Sequence, residues 1–389
     1  MPKAVKAVRR GSTNCNRPEP RVAGTLLIQQ MRKNLSYSIS SRMRAAVYQA
    51  PRHISFEEVE TPRVGPGDVL IRVTVCGICG SDVHSYKTGL YIQARQIMGH
   101  EFMGLVAAVG ENVKGISIGD RVTGFSAGVC GRCRACDEGN HILCPDLFEN
   151  STGYGRPGAF AEYVKIENAA LGANIHRLPE HLPDAIAATV EPVAVGLTAV
   201  AKSGVKRGDK VVVLGGGMIG NACLQAARRV GAEALMIEVS PMRLVLAQES
   251  GADGVFDARS GDSLEWVIDR FGVSRYHFGR GGSADVVFEA AGSPITIRQS
   301  LEMVRPGGTI CIVGLPEEAA PIDTTKIVHK LPTIIGSLGG DFGQAIEALA
   351  SEEIRTSHLI SHRFDLAETR QAFDTQLDSS SSFKVMVNS

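Results

Sequence analysis

The pattern of hydrophobic and polar positions changes near residue 204. Before that point, from 47 to about 167, short runs alternate apolar and polar residues between Gly and Pro, as at 69–75 and 105–109. Such runs predict short strands in a mainly β unit. After it, strand-like runs alternate with helical ones, which predicts a parallel sheet with crossover helices and an α/β fold class. The strand-like runs are 210–214, 234–239, 286–288 and 309–313, and the helical runs are 219–230 and 242–250.

Local signals add detail to the second part of the chain. Pro306-Gly307-Gly308 predicts a turn ahead of the run at 309–313. The unusual stretch 275–282 predicts a surface loop, to which no role is assigned. Residues 342–350 predict a helix, and 383–387 form a final apolar segment.

Composition indicates an ordinary globular protein. The chain has 389 residues, 44% apolar and 21% charged, which is enough for two or three domains. Its longest apolar runs are too short to span a bilayer, so no membrane association is expected. The nine cysteines are odd in number and clustered, which favours metal ligands in a reducing, cytoplasmic compartment over disulfides.

The net charge of zero hides a basic N-terminal arm. Residues 1–42 carry nine Lys or Arg against one acid. The arm is also rich in serine, which suits mitochondrial import as an alternative location. The favoured interpretation is a disordered upstream extension, because Met43 and the residues after it look like a natural first strand.

Four cysteines are spaced C-x2-C-x2-C-x7-C: Cys130, Cys133, Cys136 and Cys144. This spacing predicts a closed tetrathiolate zinc site. A nucleic-acid-binding role for the lobe lacks a basic patch, since its arginines are balanced by acids, so no nucleic-acid partner is expected.

Gly215-Gly216-Gly217-Met218-Ile219-Gly220 fits G-x-G-x-x-G between a strand-like and a helical run. The glycines allow a tight turn and close approach of a pyrophosphate, with Met218 and Ile219 inside the loop, so the segment predicts dinucleotide binding. Glu238, 18 residues further on, predicts hydrogen bonds to the adenosine ribose and favours NAD over NADP. Arg243 could meet a 2′-phosphate, although packing beside the adenine or exposure on a helix is the favoured interpretation.

A second metal constellation lies upstream. Cys79, His100 and a carboxylate come from separate chain segments, as a catalytic metal with one open position requires. Cys79 or His100 alone would be interpreted as an ordinary core residue.

These motifs together resemble the zinc-dependent medium-chain alcohol dehydrogenase superfamily. Gly99-His100-Glu101-x-x-Gly104-x5-Gly110-x-x-Val113 matches its zinc signature, and Cys79-Gly80-Ser81-Asp82, the cysteine lobe and the nucleotide loop complete the resemblance from Met43 onward. The resemblance implies a GroES-like, mainly β catalytic domain and a doubly wound Rossmann domain. The expected divisions are an extension (1–42), the catalytic domain (43–195), the Rossmann domain (196–335) and a C-terminal return to the catalytic domain (336–389).

The resemblance also implies a role for each metal-site residue. Cys79 and His100 would bind a catalytic zinc, and Glu101 would bind the ion or lie beside it. Glu191 stands where primary-alcohol members carry cysteine, and in this it resembles members of the sorbitol dehydrogenase branch. The resemblance leaves open whether Glu191 contacts zinc directly or through water. The lobe at Cys130 to Cys144 would hold a second, structural zinc.

The remaining implied roles concern protons. Ser81 would accept the substrate hydroxyl proton, His84 would relay it toward solvent, and Asp82 would orient His100. The expected activity is therefore reversible hydride transfer from a secondary alcohol, namely a polyol, vicinal diol or hydroxy amino acid, to NAD. The alternative is a non-catalytic nucleotide-binding relative. The family forms dimers or tetramers, so a homodimer or homotetramer is expected.

Overall fold

Strands and helices alternate much as the patterns predict. The computed structural model describes residues 39–389, so the expectations for the basic arm lie outside the described residues, apart from its last four. The strands are β1 (Arg42–Ala50), β2 (His53–Glu60), β3 (Val69–Gly77), β4 (Glu101–Val109), β5 (Arg121–Gly124), β6 (Tyr163–Ile166), β7 (Ile175–Arg177), β8 (Lys210–Leu214), β9 (Glu233–Glu238), β10 (Gly254–Asp257), β11 (Val273–Tyr276), β12 (Gly279–Gly282), β13 (Ala284–Glu289), β14 (Val304–Ile312), β15 (Thr333–Gly336), β16 (Ile360–Asp365) and β17 (Lys384–Asn388). The helices are α1 (Gly80–Thr88), α2 (Arg134–Asp137), α3 (Asp184–Ala187), α4 (Val190–Ser203), α5 (Met218–Val230), α6 (Pro241–Glu249), α7 (Ser263–Phe271), α8 (Pro294–Met303), α9 (Thr324–Lys330), α10 (Phe342–Ala350) and α11 (Thr369–Leu377).

The first sheet is built from both ends of the described chain. Its strand order is β16-β17-β3-β4-β5-β7, with β6 also paired to β3. β17 runs antiparallel to β3, with Val387 opposite Cys76. The C-terminal strands therefore complete the sheet that ends beside Cys79.

The second sheet is parallel and doubly wound. Its strand order is β10-β9-β8-β13-β14-β15. From β8 the chain adds β9 and β10 on one side and then β13 to β15 on the other, so the order switches between β8 and β13. In such sheets ligands bind beyond the carboxyl ends of the strands at this switch point. The predicted glycine loop, directly after β8, lies there. The predicted α/β fold class is confirmed.

Two local predictions are wrong. The stretch 275–282 is mostly a β-hairpin, not a loop: β11 pairs with β12, and the Ser274 hydroxyl donates to the Gly282 carbonyl at 2.5 Å. Pro306-Gly307-Gly308 makes no separate turn but forms an irregularity inside β14, where Val304 pairs with Ala284 and Thr309 with Val286. Gly307 takes a φ of +69° there, so the glycine signal marks a bulge.

One hydrophobic core joins the two sheets. It includes Val75 of β3, Met386 of β17, Val193 of α4 and Val213 of β8. α4 contacts α5 so closely that a Cβ on Gly196 would lie 2.4 Å from the Ala222 Cβ. Within residues 39–389, no helix is long and apolar enough to cross a membrane.

Candidate active site

The sulfur of Cys79 is placed by the start of α1. Cys79 is the residue just before the helix, and its backbone N–H donates to the Asp82 carboxylate at 3.1 Å. This bond satisfies one of the backbone donors that a helix start leaves free. Asp82 itself is buried, so the geometry of the cysteine depends on it.

His100 and Glu101 come from the neighbouring strand. Gly99, with a φ of +97°, turns the chain into β4, and a Cβ there would lie 2.8 Å from the Cys76 sulfur. Ligand atoms of Cys79, His100 and Glu101 all lie within 4.8 Å of one another. The structure thus brings together three residues that the sequence predicts as a metal site.

The residues fit a zinc ion. His100 is 3% exposed, and its Nδ1 has no hydrogen-bond partner among the described residues. Asp82 Oδ1 lies 3.6 Å from that nitrogen, beyond hydrogen-bond distance, so its role in orienting His100 stays a prediction. Burial raises the pKa of the Cys79 thiol, so a cation is needed to hold it as thiolate. One sulfur, one imidazole and one carboxylate are donors that zinc accepts.

A buried lysine, which the sequence interpretation missed, contacts this group. Lys384 Nζ lies 2.6 Å from Glu101 Oε2 and donates to the Ile78 carbonyl at 2.8 Å. Burial lowers the pKa of Lys384, but nearby negative charges, Glu101 first among them, raise it more, so the pKa lies above its ordinary value. The signal was available, because a lone charge interrupts the final apolar strand.

Glu191 lies at the first turn of α4, outside the group of three ligands. Burial raises its pKa to about 7, while the charges of His100 and Lys384 lower it and that of Glu101 raises it. The carboxyl therefore responds to the charges at the site. Its role as a ligand stays a prediction.

Ser81 and His84 both lie on α1, one turn apart. The Ser81 hydroxyl is 2.9 Å from the hydroxyl of Tyr154, a contact without any signal in the sequence. His84 Nδ1 lies 3.5 Å from Glu317, in the loop after β14. The predicted proton acceptor thus contacts Tyr154, and the predicted relay histidine contacts the loop after β14 of the parallel sheet.

The four cysteines of the lobe form the second predicted cluster. Their sulfur atoms lie within 4.8 Å of one another. Cys130 and Cys136 are separated by 3.9 Å and Cys133 and Cys136 by 3.5 Å, close to the ~3.8 Å edge of a tetrahedron with zinc–sulfur bonds of about 2.3 Å. A hydrogen bond from the Arg132 backbone is the main reason that the pKa of Cys130 falls to about 7. The lobe fits a zinc ion.

The glycine loop has the geometry of a phosphate site. A Cβ on Gly220 would lie 1.9 Å from the Gly215 carbonyl oxygen, and one on Gly215 would lie 2.7 Å from the Ala291 nitrogen. Gly217 begins α5 without a side-chain cap, so the amides of Met218 and Ile219 at the helix start are available to a phosphate. Asn221 holds the loop by donating to the Gly216 and Gly217 carbonyls; the sequence interpretation missed it.

Glu238 and Arg243 lie beside this loop. Glu238, at the end of β9, accepts hydrogen bonds from the backbone of Gly216 at 2.7 Å and of Val239 at 2.6 Å. A carboxylate fixed there disfavours the 2′-phosphate that distinguishes NADP from NAD, because the two negative charges repel. The Arg243 guanidinium lies over the Phe383 ring, 5.7 Å from its centre, and its predicted place beside the adenine or exposed on a helix stays a prediction.

Comparison with known proteins agrees with this geometry. Residues 65–180 match the alcohol dehydrogenase GroES-like domain, and residues 219–354 match the zinc-binding dehydrogenase domain. Sorbitol dehydrogenase of Bacillus subtilis (strain 168) is 33% identical over 91% of this chain and 99% of its own length. The chain belongs to the zinc-dependent medium-chain alcohol dehydrogenase superfamily.

Other relatives place this dehydrogenase in the polyol and threonine branch. L-Threonine 3-dehydrogenase of Deinococcus deserti is 34% identical over 83% of this chain and 92% of its own length. A protein of Sinorhizobium meliloti 1021 solved with bound NADP, and described as a zinc-binding dehydrogenase, has a TM-score of 0.81 at 32% identity, covering 90% of this chain and all of its own. The predicted enzyme class, an alcohol dehydrogenase that uses zinc and a nicotinamide cofactor, is confirmed.

Proposed function

We propose that this dehydrogenase oxidises a secondary alcohol of a polyol, vicinal diol or hydroxy amino acid to the ketone, reversibly, with NAD as the acceptor. The observation that carries the proposal is the group of Cys79 with the buried His100 and Glu101, with the Ser81 hydroxyl on the same helix turn as Cys79. A non-catalytic relative would have no need to keep these donors together.

Each residue has a separate task. Cys79 and His100 would hold the zinc ion, with Glu101 as a third donor or, while paired to Lys384, as a neighbour. When bound, zinc polarises the substrate hydroxyl and lowers its pKa, and the nicotinamide accepts the hydride. Asp82 fixes the backbone of Cys79 and lies on the Nδ1 side of His100, which leaves the other ring nitrogen for the metal.

The proton leaves along α1. Ser81 would accept it from the substrate hydroxyl, because its own hydroxyl is held in place by Tyr154 at the start of the helix. His84, one turn further along, has a side chain that is 21% exposed and lies beside Glu317. An imidazole can both accept and donate a proton, which suits a relay between Ser81 and solvent.

The substrate and cofactor preferences rest on single side chains. Glu191, which stands where primary-alcohol members carry cysteine, favours substrates of the polyol branch, in line with the sorbitol and threonine dehydrogenases among the relatives. Glu238 favours NAD, since its carboxylate occupies the side of the loop that a 2′-phosphate would need. The NADP in the Sinorhizobium meliloti structure makes this preference the first one to measure.

Further proposals concern the whole protein. The cysteine lobe would hold a structural zinc, giving two ions per chain. The chain would divide at residues 43, 196 and 336, and would form a homodimer or homotetramer. β15, the last strand of the parallel sheet, pairs only with β14 among residues 39–389 and exposes Ile334 to solvent, so its free edge suits pairing with a second copy. The proposed location is cytoplasmic.

The test combines metal content with a substrate panel. Zinc per chain is measured for the wild type and for Cys79→Ser, and NADH and NADPH formation are scored with polyols, diols, threonine and simple secondary alcohols. We expect two zinc ions to fall to one and activity on one substrate class to be lost. One zinc in both proteins, with no reduced cofactor from any substrate, would leave the non-catalytic alternative.

A further inference from the structure

Tyr154 makes two contacts with the active site from a separate loop. Its hydroxyl lies 2.9 Å from Ser81 Oγ, and its ring stacks on that of His100, with centres 5.1 Å apart and planes at 29°. The rings of Phe148 and Tyr154 also meet in an edge-to-face arrangement, with centres 5.2 Å apart and planes at 68°. The phenol is therefore held in position relative to both a metal ligand and the proton acceptor.

The loop that carries Tyr154 is itself fixed to the metal ligands. Gly153, with a φ of +81°, lies so close to Gly99 that a Cβ would come within 2.8 Å of the Gly99 carbonyl oxygen. The Tyr154 N–H donates to the Ser151 carbonyl at 3.1 Å, and Ser151 is buried. The tyrosine hydroxyl is thus placed by the backbone rather than by a mobile surface chain.

We propose that Tyr154 positions the Ser81 hydroxyl for proton transfer by donating a hydrogen bond to Ser81 Oγ. A serine hydroxyl has one hydrogen and two lone pairs. A phenol is more acidic than an alkyl hydroxyl and is the better donor of the pair. Its bond occupies one lone pair of Ser81 and leaves one acceptor position and one hydrogen.

The remaining positions give the transfer a direction. The substrate hydroxyl proton moves to the free lone pair of Ser81 as the original Ser81 proton passes to a water molecule, from which His84 relays it to solvent, so the serine ends neutral. The hydride meanwhile passes to the nicotinamide. Without Tyr154 the serine hydroxyl can rotate and turn its own hydrogen toward the substrate, an arrangement that cannot accept a proton there.

This inference rests on the proposed role of Ser81, and its kinetic test uses a double-mutant cycle. Tyr154→Phe keeps the ring between His100 and Phe148 and removes only the hydroxyl. We expect kcat to fall about tenfold with KM changed less than twofold. In a Ser81→Ala background the same substitution should cause no further loss. Tyr163→Phe, which removes a phenol elsewhere in the first sheet, should leave both constants unchanged.

A structural readout tests the bond without turnover. The chain has seven tyrosines, so the ¹³Cζ NMR signal of Tyr154 in zinc-loaded, substrate-free protein is assigned by its loss in Tyr154→Phe. Ser81→Ala should shift that signal, whereas Ser81→Thr, which keeps a hydroxyl, should preserve it. A signal unmoved by Ser81→Ala would overturn the hydrogen bond.

Kinetic outcomes separate this inference from the function beneath it. A raised KM at constant kcat, or equal losses with and without Ser81, would make Tyr154 only a wall of the pocket. An active wild type with an unimpaired Tyr154→Phe would overturn this role alone. A wild type that reduces no nicotinamide cofactor would overturn the proposed function and this role together.

Discussion

A buried lysine balances the carboxylate at the metal group. The side chains of Lys384 and Glu101 are 4% and 1% exposed and 2.6 Å apart. Removing one member of such a pair leaves an uncompensated buried charge. We expect Lys384→Met to lower the free energy of unfolding of the zinc-loaded protein by about 3 kcal/mol, measured by urea denaturation.

Two further variants decide whether the charge is the cause. Lys384→Met combined with Glu101→Gln removes both charges and should recover most of the lost stability. Lys202→Met, which changes an exposed lysine, should alter it by less than ~0.5 kcal/mol. A double variant as unstable as Lys384→Met alone would show that lost packing, rather than the Glu101 charge, explains the effect.

At the residue scale, spacing predicts ligands better than it predicts their neighbours. Cys79, His100 and Glu101 could be proposed from donor chemistry and the resemblance, and the structure brings them together. Lys384 reaches them only because β17 pairs with β3, a contact between residues more than 300 positions apart. Tyr154 lies in a glycine-rich loop without periodicity, so no local pattern indicates where its hydroxyl points.

The cysteine lobe is an element with almost no core of its own. α2 has four residues, and none of them is buried in the described chain; the buried side chains nearby are Cys144 and Leu147. So small a segment needs a metal to hold its shape. We expect Cys136→Ser to lose one zinc per chain and to become sensitive to protease cleavage within residues 127–150, measured by metal analysis and mass spectrometry of the fragments.

Ala135→Ser is the matched control for that variant, since it places a new hydroxyl on the same helix without removing a ligand. Its zinc content and cleavage pattern should equal those of the wild type. Two zinc ions retained by Cys136→Ser, or cleavage elsewhere in the chain, would argue that the lobe folds without its metal.

At the element scale, regular segments were predictable and irregular ones were not. β8 and α10 have the bounds that the patterns indicate, 210–214 and 342–350, because β8 is a continuous apolar run and α10 keeps a helical period. The bulge in β14 and the β11–β12 hairpin depend on glycines whose conformation is determined by contacts with distant segments. A Cβ on Gly281 would lie 2.5 Å from the Glu302 carbonyl oxygen, a contact between distant segments.

At the scale of the whole molecule, the two sheets are joined by a shared core and also by contacts between α1 and the loop after β14. The parallel sheet was predictable from alternating strands and helices. The contribution of β16 and β17 to the first sheet was implied only by the resemblance, because it pairs segments from opposite ends of the described chain. The contacts between α1 and the loop after β14 could not be predicted, since they join a helix beside the first sheet to a loop of the parallel sheet.

The clearest of these contacts is an ion pair between two partly exposed side chains. Lys87 Nζ, on the last turn of α1, lies 3.0 Å from both carboxylate oxygens of Glu317, in the loop after β14. Because both side chains are roughly half exposed, the pair is worth no more than ~1 kcal/mol. Because the pair links α1 to the loop after β14 of the nucleotide-binding sheet, its loss should weaken cofactor binding by about two- to fivefold.

We therefore expect Glu317→Gln to raise the Kd for the reduced cofactor by that factor at low salt, measured by the fluorescence of NADH. The difference from the wild type should shrink as salt rises to about 1 M, where the Debye length is ~3 Å and exposed charges are screened. Glu318→Gln is the matched control, because no ion pair joins this neighbouring acid to another residue within 39–389. A weakening that persists unchanged at high salt would mean that Glu317 acts through the shape of its loop, and equal effects of both variants would mean that overall charge, not the contact with Lys87, sets the affinity.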